Sequence, residues 1–316
     1  MASTELVLEI PGSTSNLGPG LDAVALALNL YCKLTFRVLD KPNANPYISF
    51  SGAIKDQENQ SHADRLIYRV LNELWSNDAG LMTRTRITVD SQIPLGAGLG
   101  TSAAVTLGTL WAAQYFKDTV PTSSTILSDL SNLEGHSESL AASLYGNFVV
   151  CARSLSGNGI KVLQQEWPKQ WKPVLIVPPN SLPTDVSRNV LPKRVPIGDA
   201  IENIQRTALL VAAVFRADEI AMKDALSDRL HEAARERLAP LLPRVRALLH
   251  NDPILGCVLS GGGPSVLVLV HDKHKEQIVS KLRRWCEDQK PQPGLIETEV
   301  AREGIRAIHQ ANHVGA

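Results

Sequence analysis

The sequence predicts an α+β or α/β chain in two domains, and three observations carry that reading. Strand-like and helix-like segments are mixed in both halves. A polar stretch from Gly157 to Lys172, punctuated by Trp167, Pro168 and Trp171, separates the halves. The length, 316 residues, suits one large or two modest domains, either able to bury a core without a disulfide or metal staple.

In chain order, the alternation Glu5 to Ile10 predicts an opening strand, followed by a polar, glycine-rich turn from Pro11 to Gly20. Leu30 to Val38 reads as a second strand and Lys41 to Pro46 as a loop. Leu66, Ile67, Val70, Leu71 and Leu74 form one apolar helical stripe within His62 to Trp75. Thr83 to Val89 is a strand leading into a glycine loop, and Ser102 to Phe116 is a buried Ala/Leu-rich helix. A helix over Ile126 to Glu134 and a strand over Phe148 to Ala152 complete the first half. The second half opens with a strand at Pro173 to Val177. Helices follow at Asp199 to Arg216, Asp218 to Leu230, Leu241 to His250 and Lys273 to Glu287. Gly256 to Ser260, Ser265 to Val270 and Ile296 to Val300 are its further strands.

Composition excludes several classes. Thirty-two basic and 32 acidic side chains give no net charge, and no Lys/Arg stripe supplies the basic face that nucleic acid requires. The apolar run Ala208 to Phe215 falls well short of the roughly 18 residues that span a bilayer. Glu5 and Glu9 interrupt the first apolar stretch, which therefore does not read as a signal peptide. Cys32, Cys151, Cys257 and Cys286 are scattered, without metal-ligand spacing. Together these features predict a reduced, soluble, cytoplasmic protein with no nucleic-acid or membrane partner.

Three glycine loops carry the chemistry. The central one, Pro94-Leu95-Gly96-Ala97-Gly98-Leu99-Gly100-Thr101-Ser102, joins a strand to a helix. Its glycines turn backbone N–H groups toward one point, and the helix adds the positive end of its dipole, a combination that suits phosphate. The Thr101 and Ser102 hydroxyls are placed to cap the helix or to reach a phosphate-bound Mg²⁺. No Lys follows the last glycine, so this is not a Walker A loop. The first loop, Pro11 to Asp22, sets Asn16 and Asp22 among glycines. Its loose dinucleotide-binding match fails because the glycines come too long after the strand, and Pro19 removes a donor. The third, Ser260-Gly-Gly-Gly-Pro-Ser265, lies between two apolar β segments.

The three loops together resemble the motifs of the GHMP kinases, and within them the homoserine kinases. The central loop is similar to P-x-x-x-G-L-G-S-S-A, with Thr101 for a serine. The first is similar to P-A-S-T-A-N-L-G-P-G-F-D. Glu134-Gly135-His136, Ser187-Arg188-Asn-Val-Leu-Pro192, Asp228-Arg-Leu-His-Glu-Ala-Ala-Arg235 and the third loop match further signatures. One stretch departs: the family's E-G-H-P-D-N reads Glu134-Gly-His-Ser-Glu138-Ser139 here.

The resemblance implies a two-domain α+β fold, residues 1–165 binding ATP and a ferredoxin-like domain over 166–316, with the active site in the cleft between them. It implies phosphoryl transfer from ATP to the side-chain hydroxyl of L-homoserine on the threonine route, and leaves a homodimer open. It assigns the nucleotide to Pro94 through Ser102, and Mg²⁺ to Glu134 with Ser102 and Thr101; these three are the catalytic set. It assigns the substrate to Asn16, Asp22, His136, Glu138, Ser139, Arg188, Arg235 and Gly262. Arg188 and Arg235 would take the acceptor's carboxylate through paired N–H donors, and Asp22 its ammonium. No residue stands out as a general base, so positioning and electrostatics carry the reaction. Another small-alcohol acceptor and a catalytically silent ligand-binding member are the competing readings.

Overall fold

The computed structural model describes residues 4–41, 47–55, 57–75, 79–117, 119–123, 126–127, 137–155 and 159–310. Two strands frame the first half, β1 (Thr4–Asn16) and β2 (Gly20–Val38), paired antiparallel over nearly their whole lengths. Leu6, Leu8 and Ile10 alternate into the core, as the sequence pattern requires. Pro11 to Asn16, expected to be a turn, continues the strand after a register shift at Pro11/Gly12, and the shift turns this stretch toward the site. Asn16, Leu17 and Gly18 then reverse the chain with positive φ values of 71°, 46° and 77°. No helix follows this turn, which removes the dinucleotide geometry altogether.

Strands β3 (Tyr47–Gly52), β4 (Thr85–Ser91), β5 (Phe148–Arg153) and β6 (Ile160–Gln165) extend the first sheet. Helix α1 (Gln57–Trp75) turns Leu66, Ile67, Val70 and Leu71 of the expected stripe to the core, and a short α2 (Ala79–Arg84) occupies the start of the expected strand at Thr83. Helix α3 (Thr101–Tyr115) is apolar all round and almost wholly buried, as such a helix must be. Beyond residue 127, the helix expected at Ile126 to Glu134 lies outside the described residues. Helix α4 (Glu138–Tyr145) clusters Ala141 and Ala142 with Ala25 and Ala27 of β2. Four small side chains let this helix approach the sheet closely, which sets the depth of Glu138.

The stretch expected as a linker contains β6, whose Gln164 and Gln165 pair with β5 rather than pack inward. The second half forms a separate sheet from β7 (Trp171–Val177), β8 (Ile254–Leu259), β9 (Val266–His271) and β10 (Gly294–Glu297). Its order is β10-β7-β9-β8 with antiparallel neighbours. Numbered within the sheet that is 4-1-3-2, the ferredoxin-like order. Between β7 and β8 run α5 (Thr184–Asn189), α6 (Ile197–Arg216), α7 (Glu219–Ala225), α8 (Glu232–Arg235) and α9 (Leu241–Leu248). Between β9 and β10 runs α10 (Asp272–Glu287). Helix α7 stops short of the expected Leu230 because Asp228 starts a new turn, accepting from the N–H groups of Leu230, His231 and Glu232. The final strand, β11 (Arg306–Gln310), returns to pair with β1 in the first sheet. Among the described residues no helix is long and apolar enough to cross a membrane.

Candidate active site

All three glycine loops meet at one cavity of about 260 Å³. Backbone bonds lace them: Ser13 N–H donates to Leu99 O at 3.0 Å, and Gly261 N–H to Ser15 O at 3.0 Å. The Ser260 hydroxyl lies 2.7 Å from Gly98 O and 2.8 Å from Thr14 Oγ1. Asn16 Nδ2 donates to Gly261 O at 2.8 Å while its Oδ1 accepts from Asp22 N–H at 3.0 Å. Asn16 is thereby committed to joining the first loop to the third and to fixing Asp22, which itself sits at φ 57°.

The central loop forms one wall. Gly96, Gly98 and Gly100 have φ values of 68°, 74° and 79°, a run that side-chain-bearing residues rarely adopt. Leu95, Gly96, Gly98, Leu99, Gly100, Thr101 and Ser102 line the cavity, whereas Pro94 and Ala97 do not. Ala97 is 4% exposed and belongs to the core. Neither hydroxyl caps α3, contrary to expectation: Gly100 is the N-cap and no side chain bonds the first turn. Thr101 Oγ1 instead donates to Pro94 O at 2.8 Å, closing the loop on itself. The first N–H groups of α3 are left for an anion, and Ser102 is the hydroxyl presented there.

The opposite wall is charged. Arg188 Nη2 pairs with Asp22 Oδ1, and the two side chains are 34% and 38% exposed. Arg235 is 2% exposed; its Nε donates to Ser187 O at 3.2 Å and its Nη1 to His231 Nδ1 at 2.8 Å. Burial, and then the nearby Arg188 charge, lower the Arg235 pKa. The Ser187 hydroxyl donates to Gly262 O at 2.7 Å, so the third loop, α5 and α8 converge here. A Cβ on Gly262 would come within 2.7 Å of that hydroxyl, which explains why glycine stands there. Glu138, in the first turn of α4, is 3% exposed and lines the cavity with Ser139. Its charge, after burial, helps push the Cys151 thiol up to about 12.

Two known family models match the chain: the GHMP kinases N terminal domain over residues 65–147, and the GHMP kinases C terminal over 210–288. The homoserine kinase of Solibacter usitatus is 34% identical, covering 83% of this chain and 84% of that protein. That of Bacillus cereus strain G9842 is 30% identical over 98% of this chain and 99% of that protein. This chain belongs to the homoserine kinase family. The crystal structure of homoserine kinase from Cytophaga hutchinsonii shares the fold, with TM-score 0.77, 24% identity and coverage of 96% and 97%. A further structure in the same fold, "MDDEF in complex with MVAPP, AMPPCP and Magnesium", has TM-score 0.62 at 16% identity, covering 97% and 99%.

As a GHMP kinase the protein is a small-molecule kinase, and its cavity has a glycine-loop wall and a charged wall. The structure brings together Asn16, Asp22, Glu138, Ser139, Arg188, Arg235 and Gly262 with the phosphate-type loop. Glu134 and His136 lie outside the described residues. Sequence reasoning missed Arg65 on α1 and Ser181 to Thr184 ahead of α5, which also line the cavity. Arg65 gave no signal beyond a solvent-facing position in an amphipathic helix. Ser181 to Thr184 follow the pair Pro178-Pro179, and only the fold carries them to the loop, where Leu182 N–H donates to Gly96 O at 2.8 Å.

Proposed function

We propose that the protein transfers the terminal phosphoryl group of ATP to the side-chain hydroxyl of L-homoserine, giving O-phospho-L-homoserine on the route to threonine. The observation that carries this reading is one cavity with a phosphate-type helix N-terminus on one wall and the Asp22–Arg188–Arg235 cluster on the other. A carboxylate and an ammonium on one small acceptor match that cluster, and its free hydroxyl then points back toward the loop.

The residues present fit both ATP and Mg²⁺. Gly96 to Ser102 supply backbone donors with no side-chain cap competing for them. For Mg²⁺, which keeps several waters and takes few protein oxygens, the Ser102 hydroxyl and a carboxylate suffice. Glu138 is a described carboxylate that lines the same cavity, and Glu134 is the one assigned by motif. When bound, the metal neutralises charge developing on the transferring phosphoryl group. The chain's own share is to orient the acceptor through Asp22, Arg188 and Arg235, and to present donors where negative charge grows. Thr101, with its proton on Pro94 O, supports the loop. Asn16, His136, Ser139 and Gly262 complete the acceptor side.

We take residues 1–165 and 166–316 as the two domains, with β11 as a strand returned to the first. A cytoplasmic location and the absence of a nucleic-acid partner follow from the charge balance and cysteine pattern. The test is ADP release in a coupled assay against homoserine, threonine, serine, mevalonate and shikimate. Release with homoserine alone is expected; turnover of a different acceptor selects the other small-alcohol reading, and silence with every acceptor the ligand-binding one.

A further inference from the structure

The single turn of α8 carries two buried charges. Arg235, at its C-terminal end, lines the cavity, its guanidinium held by Ser187 O and His231 Nδ1. Glu232, at its N-terminal end, is 5% exposed and lies outside the cavity lining. Both of its carboxylate oxygens are committed: Oε1 accepts from Leu259 N–H at 2.9 Å, and Oε2 from Arg246 Nη2 at 2.6 Å. Arg246, on α9, also donates from Nε to Cys257 O at 2.9 Å, so α8, α9 and β8 form one closed clamp. A buried ion pair is weak evidence for stability, because an apolar pair of similar volume often serves as well. What Glu232 holds in place is the more informative question.

Leu259 is the last residue of β8 and hands the chain to the third glycine loop. That loop is closed on itself: Ser260 N–H donates to Ser265 O and Gly263 N–H to Ser260 O, each at 2.9 Å. It is joined to the phosphate-type loop through the Ser260 hydroxyl, 2.7 Å from Gly98 O. A continuous path therefore runs from the charged wall to the glycine-loop wall through Arg235, one turn of α8, Glu232, Leu259, Ser260 and Gly98. Each of these six residues is buried or lines the cavity.

We propose that Glu232 is a positioning residue for phosphoryl transfer, a spacer that fixes the distance between Arg235 and the phosphate-type loop. The inference rests on the reading of Arg235 as an anchor for the acceptor's carboxylate. With the acceptor held at that end and the nucleotide at the other, the length of the spacer decides whether the hydroxyl meets the phosphoryl group in line. A misplacement of about 1 Å costs about 100-fold in rate. Because Glu232 lies behind both walls and not on either, shortening it should lower kcat and leave both KM values in place.

The test separates reach from charge. Glu232→Asp keeps the charge but stops one methylene short of Leu259 N–H, whereas Glu232→Gln keeps the reach and the acceptor oxygen and loses the charge. Steady-state kinetics of the full chain with Mg·ATP and homoserine are run at a temperature where melts show both variants folded. The Asp variant should lose roughly 10- to 100-fold in kcat, with both KM values within about twofold of wild type. The Gln variant should stay within about fivefold, the most that a pair with the 40%-exposed Arg246 is worth. If the Asp variant does not fold, Arg246→Met frees one carboxylate oxygen from the half-exposed end, and kcat should fall by about two- to fivefold with both KM values kept. Wild-type kcat in the variant tested, equal losses in Asp and Gln, or a change confined to KM would overturn the proposal. If the wild type turns over a different acceptor from the panel, the acceptor reading falls while the Asp and Gln comparison runs unchanged with that alcohol; silence with every acceptor removes both.

Discussion

His231 Nδ1 accepts a hydrogen bond from Arg235 Nη1 at 2.8 Å, and His231 Nε2 lies 2.8 Å from Gly18 O. The ring is wholly buried, so both nitrogens are satisfied in one neutral tautomer, with the proton on Nε2. One imidazole thus ties the first glycine loop to a guanidinium that lines the cavity. Asp228 fixes the backbone beneath it by accepting from His231 N–H at 2.7 Å.

Removing that acceptor should therefore act on acceptor binding. His231→Leu leaves a buried Arg235 proton without its partner, at a cost of about 1–3 kcal/mol, or roughly 5- to 150-fold in the KM for homoserine. His231→Asn, which restores an oxygen near the Nδ1 position, should recover part of the loss. Steady-state kinetics decide it: an unchanged KM in His231→Leu would mean that Arg235 is held by Ser187 O alone.

The same residue predicts acid sensitivity. Burial is the largest influence on His231 and lowers its pKa below the ordinary 6.5, ahead of Asp228, which raises it, and Arg235, which lowers it. The unfolded chain then binds the proton more readily, so stability is full above pH 6.5 and declines as pH falls toward the folded-state value. Thermal melts from pH 7.5 down to 5 should show that decline, and His231→Asn should flatten it. Equal slopes in the two proteins would remove His231 as the cause.

Gly98→Ala probes the nucleotide wall. A Cβ at Gly98 would come 2.3 Å from Ser260 O and 2.7 Å from Gly263 O, both backbone atoms, at a φ of 74°. The second and third loops must separate to admit it. Affinity for Mg·ATP by calorimetry should fall at least about tenfold, near 1.4 kcal/mol. Wild-type affinity would show that the laced loops are not what presents the phosphate donors.

Ser139 is one of three positions, with Ser137 and Glu138, at which the chain leaves its family's E-G-H-P-D-N pattern. It lines the cavity from the first turn of α4, so an amide there adds a donor and an acceptor at the acceptor side. Ser139→Asn should raise kcat/KM for homoserine by roughly two- to twelve-fold, the value of one neutral hydrogen bond. Ser137 at φ −125° does not suit proline, so the swap is best made at 139 alone. A lowered kcat/KM would show that Ser139 serves its own contact.

Much of this was legible in the residues. The central loop announced itself because three glycines before a helix have few other uses, and the stripe in α1 has the helical period. Two places were misread for stated reasons. Polar Ser13 to Asn16 looked like a turn, yet Ser13 N–H, Thr14 Oγ1, Ser15 O and Asn16 Nδ2 bond across the chain to Leu99, Ser260 and Gly261, partners no local pattern reveals. Thr101 looked like a helix cap, but Gly100 is the N-cap and the hydroxyl bonds Pro94 O. His231, inside the motif that pointed to Arg235, gained its role only when the fold brought Gly18 beside it.

The central claim is that one wall reads an α-amino acid while the other delivers phosphate to its hydroxyl. The most direct measurement compares kcat/KM for L-homoserine with that for 3-aminopropanol, which lacks only the carboxylate, at saturating Mg·ATP. With Arg188 and Arg235 holding the carboxylate through charge-assisted bonds of about 1.5–3 kcal/mol each, the truncated alcohol should be poorer by at least about 100-fold. Equal turnover of the two, or phosphorylation of neither, would contradict the account.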